Sequence, residues 1–206
     1  MNPPSDSSPQ SAPRPVVAAG GFYEELTFES WSPSPTDLSR AEFIHCRFKN
    51  CRSAGVLLNG TTFESCQFID CDFTNASLLD TRFIDCTFTG CKLLGWKWPD
   101  ARSPVLVSLK NCLCAESSFF GLQLKKLKLT GCTLTNADFA EAKLLHADLR
   151  DSDFSGARFH NTDLSHADFS TARNYHIDAR ANIVTKAKFS LPEAVSLLEG
   201  LGITLV

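Results

Sequence analysis

The stretch HCRFKNCRSAGVLLNGTTFESCQFIDCDFTNASLLDTRFIDCTFTGCKLLG, from His45 to Gly95, holds Cys46, Cys51, Cys66, Cys71, Cys86 and Cys91. Repeated Cys-x4-Cys pairs raise three chemistries: soft-metal ligation, disulfide formation and thiol redox work. Metal binding asks for thiolates that converge from different directions, often with two residues between ligands. Parallel side chains repeated at a fixed interval do not converge in this way. The five histidines, His45, His146, His160, His166 and His176, fall at outward or tail positions with no cysteine or acid constellation around them. No glycine-rich phosphate loop is present. Serine and aspartate are abundant, but as a repeated surface rather than as a cleft. The expectation is therefore a protein that is not an enzyme, with no metal and no cofactor.

The spacing of the cysteines belongs to a longer rule. Every fifth residue from Phe43 is large and apolar: Phe43, Phe48, Leu58, Phe63, Phe68, Phe73, Leu78, Phe83, Phe88, Leu93 and Trp98, with Ser53 as the exception. The residue two places earlier in each five is small: Ala41, Cys46, Cys51, Val56, Thr61, Cys66, Cys71, Ala76, Thr81, Cys86 and Cys91. The beat resumes at Leu109 and continues through Phe169, with Phe189 still in phase. A period of five is neither the 3.6 of a helix nor the 2.0 of a strand. Within each five, however, the small and the large residue are two apart, so both face one side of a short extended segment. A corner must follow before the pattern restarts. Short extended segments joined by corners wind into a solenoid around an apolar axis.

Like residues also recur at twenty: Cys46, Cys66 and Cys86; Cys51, Cys71 and Cys91; Cys112 and Cys132; Thr61 and Thr81. Twenty residues per coil are four fives, which predicts a square cross-section. With coils about 4.8 Å apart, roughly eight of them make a rod of about 40 Å. The cysteines then read as small, soft fillers of the interior. Stacked cysteines fall within reach of a disulfide, so the redox compartment decides that point. The N-terminus lacks a basic region followed by a long apolar one, which argues against secretion and for reduced thiols in a cytoplasmic protein. No apolar run approaches the roughly 18 residues of a membrane span. The formal net charge of −3 on 206 residues makes no global demand for a nucleic acid or a membrane.

The chain divides into a weakly ordered tail (1–21, rich in proline and serine), a solenoid (22–189) and a C-terminal segment (190–206). From Trp98 to Leu109 is eleven residues rather than ten, so one residue is inserted. Trp96 occupies a small-residue position, where it is too large for a regular coil, and Pro99 and Pro104 remove ladder donors. Residues 99–108 are therefore expected to leave the rod as a loop. Pro99, Asp100, Ala101, Arg102 and Ser103 are the candidate partner contacts, because this segment alone departs from the repeated surface. In the C-terminal segment, Ser190 and Glu193 have the spacing of a capping box with Pro192 in the first turn. Leu191, Ala194, Val195 and Leu198 share one helical face, Gly200 is the stop and ITLV a short strand. Between Asp138 and Asp168 lie seven acids and three bases. Asp138, Asp148, Asp153, Asp163 and Asp168 each precede a large apolar residue, at an outward position, and are the candidate partner-binding acidic surface, expected as a phosphate-like stripe facing a basic DNA-binding surface. Lys125, Lys126 and Lys128 interrupt this acidity.

The stretch NADFAEAKLLHADLRDSDFSGARFHNTDLSHADFS, Asn136–Ser170, resembles the pentapeptide repeat family, whose motif is A-[D/N]-[L/F]-x-x. The resemblance implies a right-handed quadrilateral β-helix, an all-β solenoid, here with a short C-terminal helix. The segment Asn174–Val206 and the break GWKWPDARSPV are similar to the group that includes the albicidin-resistance and Qnr-type proteins. That resemblance implies a DNA-mimicking modulator of DNA gyrase or topoisomerase IV, protecting the enzyme from a poison as resistance or self-immunity. It also implies a homodimer joined C-terminus to C-terminus, with Leu191, Val195, Leu198 and Leu201 at the interface, and no direct nucleic-acid contact. The alternative is a structural or adaptor solenoid with an unrelated protein partner.

Overall fold

A computed structural model describes residues 17–32, 37–199 and 201. The expected tail up to residue 16, the Gly200 stop and the ITLV strand lie outside them. The chain winds as a right-handed quadrilateral β-helix whose coils stack in parallel register. Its short strands are β1 (Phe22–Glu24), β2 (Thr27–Glu29), β3 (Glu42–Ile44), β4 (Arg47–Lys49), β5 (Thr62–Glu64), β6 (Gln67–Ile69), β7 (Arg82–Ile84), β8 (Cys86–Thr89), β9 (Val107–Lys110) and β10 (Lys128–Thr130). One sheet runs β1-β3-β5-β7 and the other β10-β9-β8-β6-β4-β2. Elsewhere the coils are joined by single parallel bridges between outward residues.

The register gives four faces, each with its column of large side chains. Face 1 carries Tyr23, Phe43, Phe63 and Phe83. Face 2 carries Phe28, Phe48, Phe68, Phe88, Leu109 and Leu129. Face 3 follows the bridges Arg52–Asp72–Lys92–Leu113–Thr133–Asp153–Arg173, and face 4 the bridges Lys97–Ser118–Asp138–Arg158. The pairing Phe88↔Leu109 spans 21 residues rather than 20, so the extra residue of the break is absorbed in one coil and the columns continue above it.

The corners explain the polar residues of each five. A residue at each corner takes the left-handed backbone, as at Asn75 (φ 55), Asn136 (φ 57) and Asp151 (φ 62). Asparagine, aspartate and glycine tolerate that region best. At Gly156 (φ +68) an added Cβ would collide with the side-chain carbonyl of Asn136 in the coil below, so glycine is required there for space as well as for conformation.

The small interior position has a second property beyond size. Its side chain donates to the carbonyl of the large residue one coil back: Cys51 Sγ to Phe28 O at 3.3 Å, Cys66 Sγ to Phe43 O at 3.3 Å and Cys86 Sγ to Phe63 O at 3.3 Å. Thr61 (to Leu38 O, 2.7 Å), Ser152 (to Leu129 O, 3.0 Å) and Thr162 (to Phe139 O, 2.9 Å) make the same bond. All nine cysteines are buried free thiols. Contact with the Cys66 thiol, and then burial, push the Cys46 thiol above its ordinary range. The thiols are donors that join coil to coil.

Trp96 corrects an expectation. Read as too large for its position, it lies inside the coil, 1% exposed, and its indole Nε1 donates to Phe73 O at 2.6 Å. The indole therefore does what cysteine and threonine do elsewhere. Its bulk fits because it packs against Trp98, Phe83 and Phe88.

Candidate partner-binding surface

Three regions carry the candidate residues: the break, the outward aspartates and the C-terminal end. The break does not leave the rod. Trp98–Asp100 forms a single 3-10 turn, Arg102 N donates to Thr81 O at 2.8 Å, and Leu106 N donates to Phe83 O at 3.2 Å. Strand β9 has already begun at Val107, within the segment expected to be loop. Ala101 and Val105 are buried and act as interior fillers, so Ala101 is not available for contact. Pro99, Asp100, Arg102 and Ser103 are exposed, and Arg102 reaches Asp80 at 3.4 Å. Beside the turn lies a shallow depression lined by Lys97, Pro99, Asp100, Ser118, Phe120 and Asp138. The phenyl ring of Phe120 is 43% exposed there. This juxtaposition of the break with Phe120 and Asp138 was not legible in the sequence, because it depends on which face each five occupies.

The five aspartates do not form one stripe. Five residues are a quarter of a coil, so successive fives fall on successive faces. Asp163 stands on face 1, Asp148 and Asp168 on face 2, Asp153 on face 3 and Asp138 on face 4. Only Asp148 and Asp168 are stacked directly on each other. Each aspartate also has local work. One carboxylate oxygen accepts from the backbone N–H two residues on, as in Asp138–Ala140, Asp153–Ser155, Asp163–Ser165 and Asp168–Ser170, all at 3.0 Å. These bonds hold the corner, which is a physical reason for aspartate before the large residue.

Four of the five also face a base. Asp148 pairs with Arg150 at 2.8 Å, Asp153 with Arg173 at 3.1 Å, Asp168 with Lys188 at 3.2 Å and Asp138 with Arg158 at 4.0 Å. Burial would raise the Asp153 carboxyl, but hydrogen bonds from Ser155 and Asn174 and the Arg173 guanidinium outweigh it and hold it at about 2. The acidity of this region is thus dispersed and interleaved with cations.

At the C-terminal end, Ser190 and Glu193 do not form a capping box. Ala194 N bonds the Ser190 carbonyl at 2.9 Å, and the Glu193 carboxylate accepts instead from Asn174 N at 3.2 Å. Pro192 sits at the N-cap, and the helix is short: a 3-10 turn, Glu193–Val195, followed by α1 (Ser196–Glu199). Leu197 and Phe189 pack on the top of the core, and Ser196 Oγ reaches Tyr175 O at 3.2 Å. Val195 is half-buried. Leu191, Leu198 and Leu201 remain 78%, 37% and 52% exposed, an apolar end not covered by the chain's own described residues.

Two models of the same repeat match this chain: "Pentapeptide repeats", in eight copies over residues 36–75 and 132–170, and "Pentapeptide repeat region", over 61–139. The chain belongs to the pentapeptide repeat family. No curated protein matches the sequence significantly. Among solved structures, a trypsin-treated variant of QnrB1, a plasmid-mediated fluoroquinolone resistance protein, is similar over 90% of this chain and 100% of its own, at 20% identity and a TM-score of 0.58. A second trypsin-treated QnrB1 variant is 25% identical, with a TM-score of 0.50 over 91% of this chain and 92% of its own. HetL, a pentapeptide repeat protein involved in heterocyst differentiation regulation from the cyanobacterium Nostoc sp. strain PCC 7120, is 17% identical over 85% of this chain and 89% of its own, with a TM-score of 0.42.

Among the described residues, no group of three or more His, Cys, Asp or Glu side chains is placed to hold a metal ion, and no helix is long and apolar enough to cross a membrane.

Proposed function

We propose that this pentapeptide repeat protein binds a type II topoisomerase, DNA gyrase or topoisomerase IV, on the surface that holds duplex DNA, and protects it from a poison that traps the cleaved complex. The observation that carries the reading is the match along nine-tenths of the chain to a fluoroquinolone resistance protein, extending to 25% identity in one comparison. The rod shape favours it too: two copies joined through Leu191, Val195, Leu198 and Leu201 would give about 80 Å of straight, regularly charged surface. The dispersed aspartates change how the mimicry works. Attraction to a basic DNA-binding saddle comes from a lattice of carboxylates with cations between them, so shape contributes more and long-range charge less. The depression beside the break, with Pro99, Asp100, Phe120 and Asp138, is the contact that would distinguish protection from simple competition with DNA.

The test is supercoiling and cleavage by gyrase and by topoisomerase IV, with and without a fluoroquinolone or another poison. Wild-type protein should restore supercoiling in the presence of the drug. Asp100→Lys with Arg102→Glu should keep fold and dimer while removing protection. Leu198→Asp should give monomers by light scattering, because it places an unpaired charge in an apolar contact. If the wild-type protein neither binds nor alters either enzyme with any poison, the adaptor reading replaces this one.

A further inference from the structure

The corner between faces 1 and 2 changes character above the break. Its left-handed positions are Glu25, His45, Ser65 and Asp85 in the lower coils, and Lys126, His146, His166 and Lys186 in the upper ones. Coil-to-coil bonds stack the upper four in one line: Lys126 N to Leu145 O at 2.9 Å, His146 N to Ser165 O at 3.0 Å and His166 N to Thr185 O at 2.9 Å. The imidazoles of His146 and His166 lie face over face, with ring centroids 4.5 Å apart and planes 26° from parallel. Three steps of about 4.8 Å place the two lysines about 14 Å apart, with both imidazoles between them.

The columns on either side do not cancel this charge. Face 1 contributes Lys143 and Asp163, and face 2 contributes Lys128, Asp148, Asp168 and Lys188. Arg150 holds Asp148 and Lys188 holds Asp168. With Lys125, exposed at the foot of the corner, the strip carries seven Lys and Arg cations against five carboxylates, once Asp85, in the hollow with Lys125 and Lys126, and Asp151, beside Arg150, are included. Lysine in the left-handed backbone at both ends of the line, Lys126 with Lys125 and Lys128 exposed beside it and Lys186 with Lys188, is not what corner conformation selects; asparagine or glycine would be easier there.

Two stacked imidazoles can also chelate a transition metal. Here a dication would sit between two ammonium groups, while the nearest column of carboxylates is already engaged. An anion fits the same line. The companions of the histidines at the corner are Ser165 and Thr185, hydroxyl donors of the kind that contact phosphate. Exposed large apolar side chains are only peripheral to the line, Leu106 at its foot and Ile183 on face 1 beside its upper end, whereas a protein partner would ordinarily find an apolar centre. We infer that the Lys126–His146–His166–Lys186 edge binds the phosphate backbone of a nucleic acid strand. The whole-chain charge argued against such contact because it averages over columns that the fold keeps apart. The inference does not depend on the proposed function: residues 105–108 of the break lie beside Lys125 and Lys126 at the foot of the edge, but Pro99 and Asp100, which the proposed function uses, line a different depression.

The experiment is fluorescence anisotropy of the full chain with a labelled single-stranded oligonucleotide and with the corresponding duplex, at low salt. Binding should fall with a log–log salt slope of roughly −3 for four phosphate contacts. His146→Asn with His166→Asn, which keeps a residue tolerant of the left-handed corner, should weaken binding several-fold. Lys126→Asn with Lys186→Asn should weaken it at least about tenfold, with an unchanged melting curve. No binding at low salt overturns the inference. So does binding that both double variants retain in full, and so does displacement of the oligonucleotide by polyglutamate in preference to inorganic polyphosphate, which would indicate an acidic protein. Stoichiometric zinc or nickel uptake lost in the histidine variant would make the pair a metal chelate instead.

Discussion

The coils below the break and the coils above it obey the same five-residue rule with different materials. Below, face 1 and face 2 are ladders of phenylalanine: Phe43, Phe63 and Phe83 stack at 5.1 and 5.4 Å, and Phe28, Phe48, Phe68 and Phe88 at 4.9, 4.8 and 4.5 Å. Cysteine and threonine at the small position add a bond to each coil beneath. Eight of the ten strands are in this half. Above, face 2 is leucine as far as Leu149, alanine becomes commoner at the small position, and single bridges largely replace strands. Alanine cannot donate, although Ser117, Ser152, Thr162 and Asn182 still donate inward from the coil above; aspartate corners and ion pairs one coil apart add to the cohesion at the surface. Phenylalanine stacking is thus concentrated in the lower half, while ion pairs one coil apart occur in both, as Lys49–Glu29 and Lys92–Asp72 below and Arg173–Asp153 and Lys188–Asp168 above. Both the dispersed aspartates and the cationic edge are in the upper half.

The largest expected effect tests the interior. Phe68→Ala, between two stacked rings, should cost about 4 kcal/mol, and Leu149→Ala, its counterpart above, about 3 kcal/mol. Equal or reversed losses in denaturant unfolding would remove the distinction between the halves. The next tests the surface. Asp153 has its carboxyl held at about 2 in the folded chain, below the roughly 3.9 of an unfolded aspartate. Its contribution is therefore complete above about pH 4 and is lost as the pH falls towards 2. Hydrogen exchange across that range should show the upper coils opening before the lower ones, and Asp153→Asn should reduce the difference. The smallest effect concerns the thiols. Cys66→Ala with Cys86→Ala should lower stability modestly, by about 1 kcal/mol per site, because a weak donor is lost from a tight fit. Cys66→Ser should recover part of it. No cysteine should react with a thiol reagent until the chain is denatured; fast labelling of Cys66 in the native state would contradict its place in the interior.

The winding was readable because a period of five and a period of twenty leave few geometries, and Cys46, Cys66 and Cys86 display both at once. What could not be read follows from the same periods. Aspartates five apart look like neighbours on a line of sequence, yet a quarter turn separates each from the next, so a stripe was expected where the fold makes four columns. Trp96 was judged by volume, while its position selects for a donor. The break was expected to protrude because two prolines and an extra residue suggest irregularity, but Ala101 and Val105 still satisfy the interior, and burial of those side chains keeps the segment on the rod. Ser190 and Glu193 matched a capping motif whose partner, Asn174, belongs to a different coil and is far away in the sequence. The cationic edge is hidden for the opposite reason: its members are twenty apart in sequence and become neighbours only when the coils are stacked.

The single extra residue between Phe88 and Leu109 has a consequence for how such a chain can change over generations. One residue was accommodated only because a corner could bulge while the columns above it came back into phase. Most small insertions would instead turn every later side chain from the core to the solvent. Duplication of a whole coil, about sixty nucleotides, disturbs nothing and lengthens the rod by about 4.8 Å. The gene is thus written in units of reach, and its length can be adjusted by a step of known size without any new interior having to be invented.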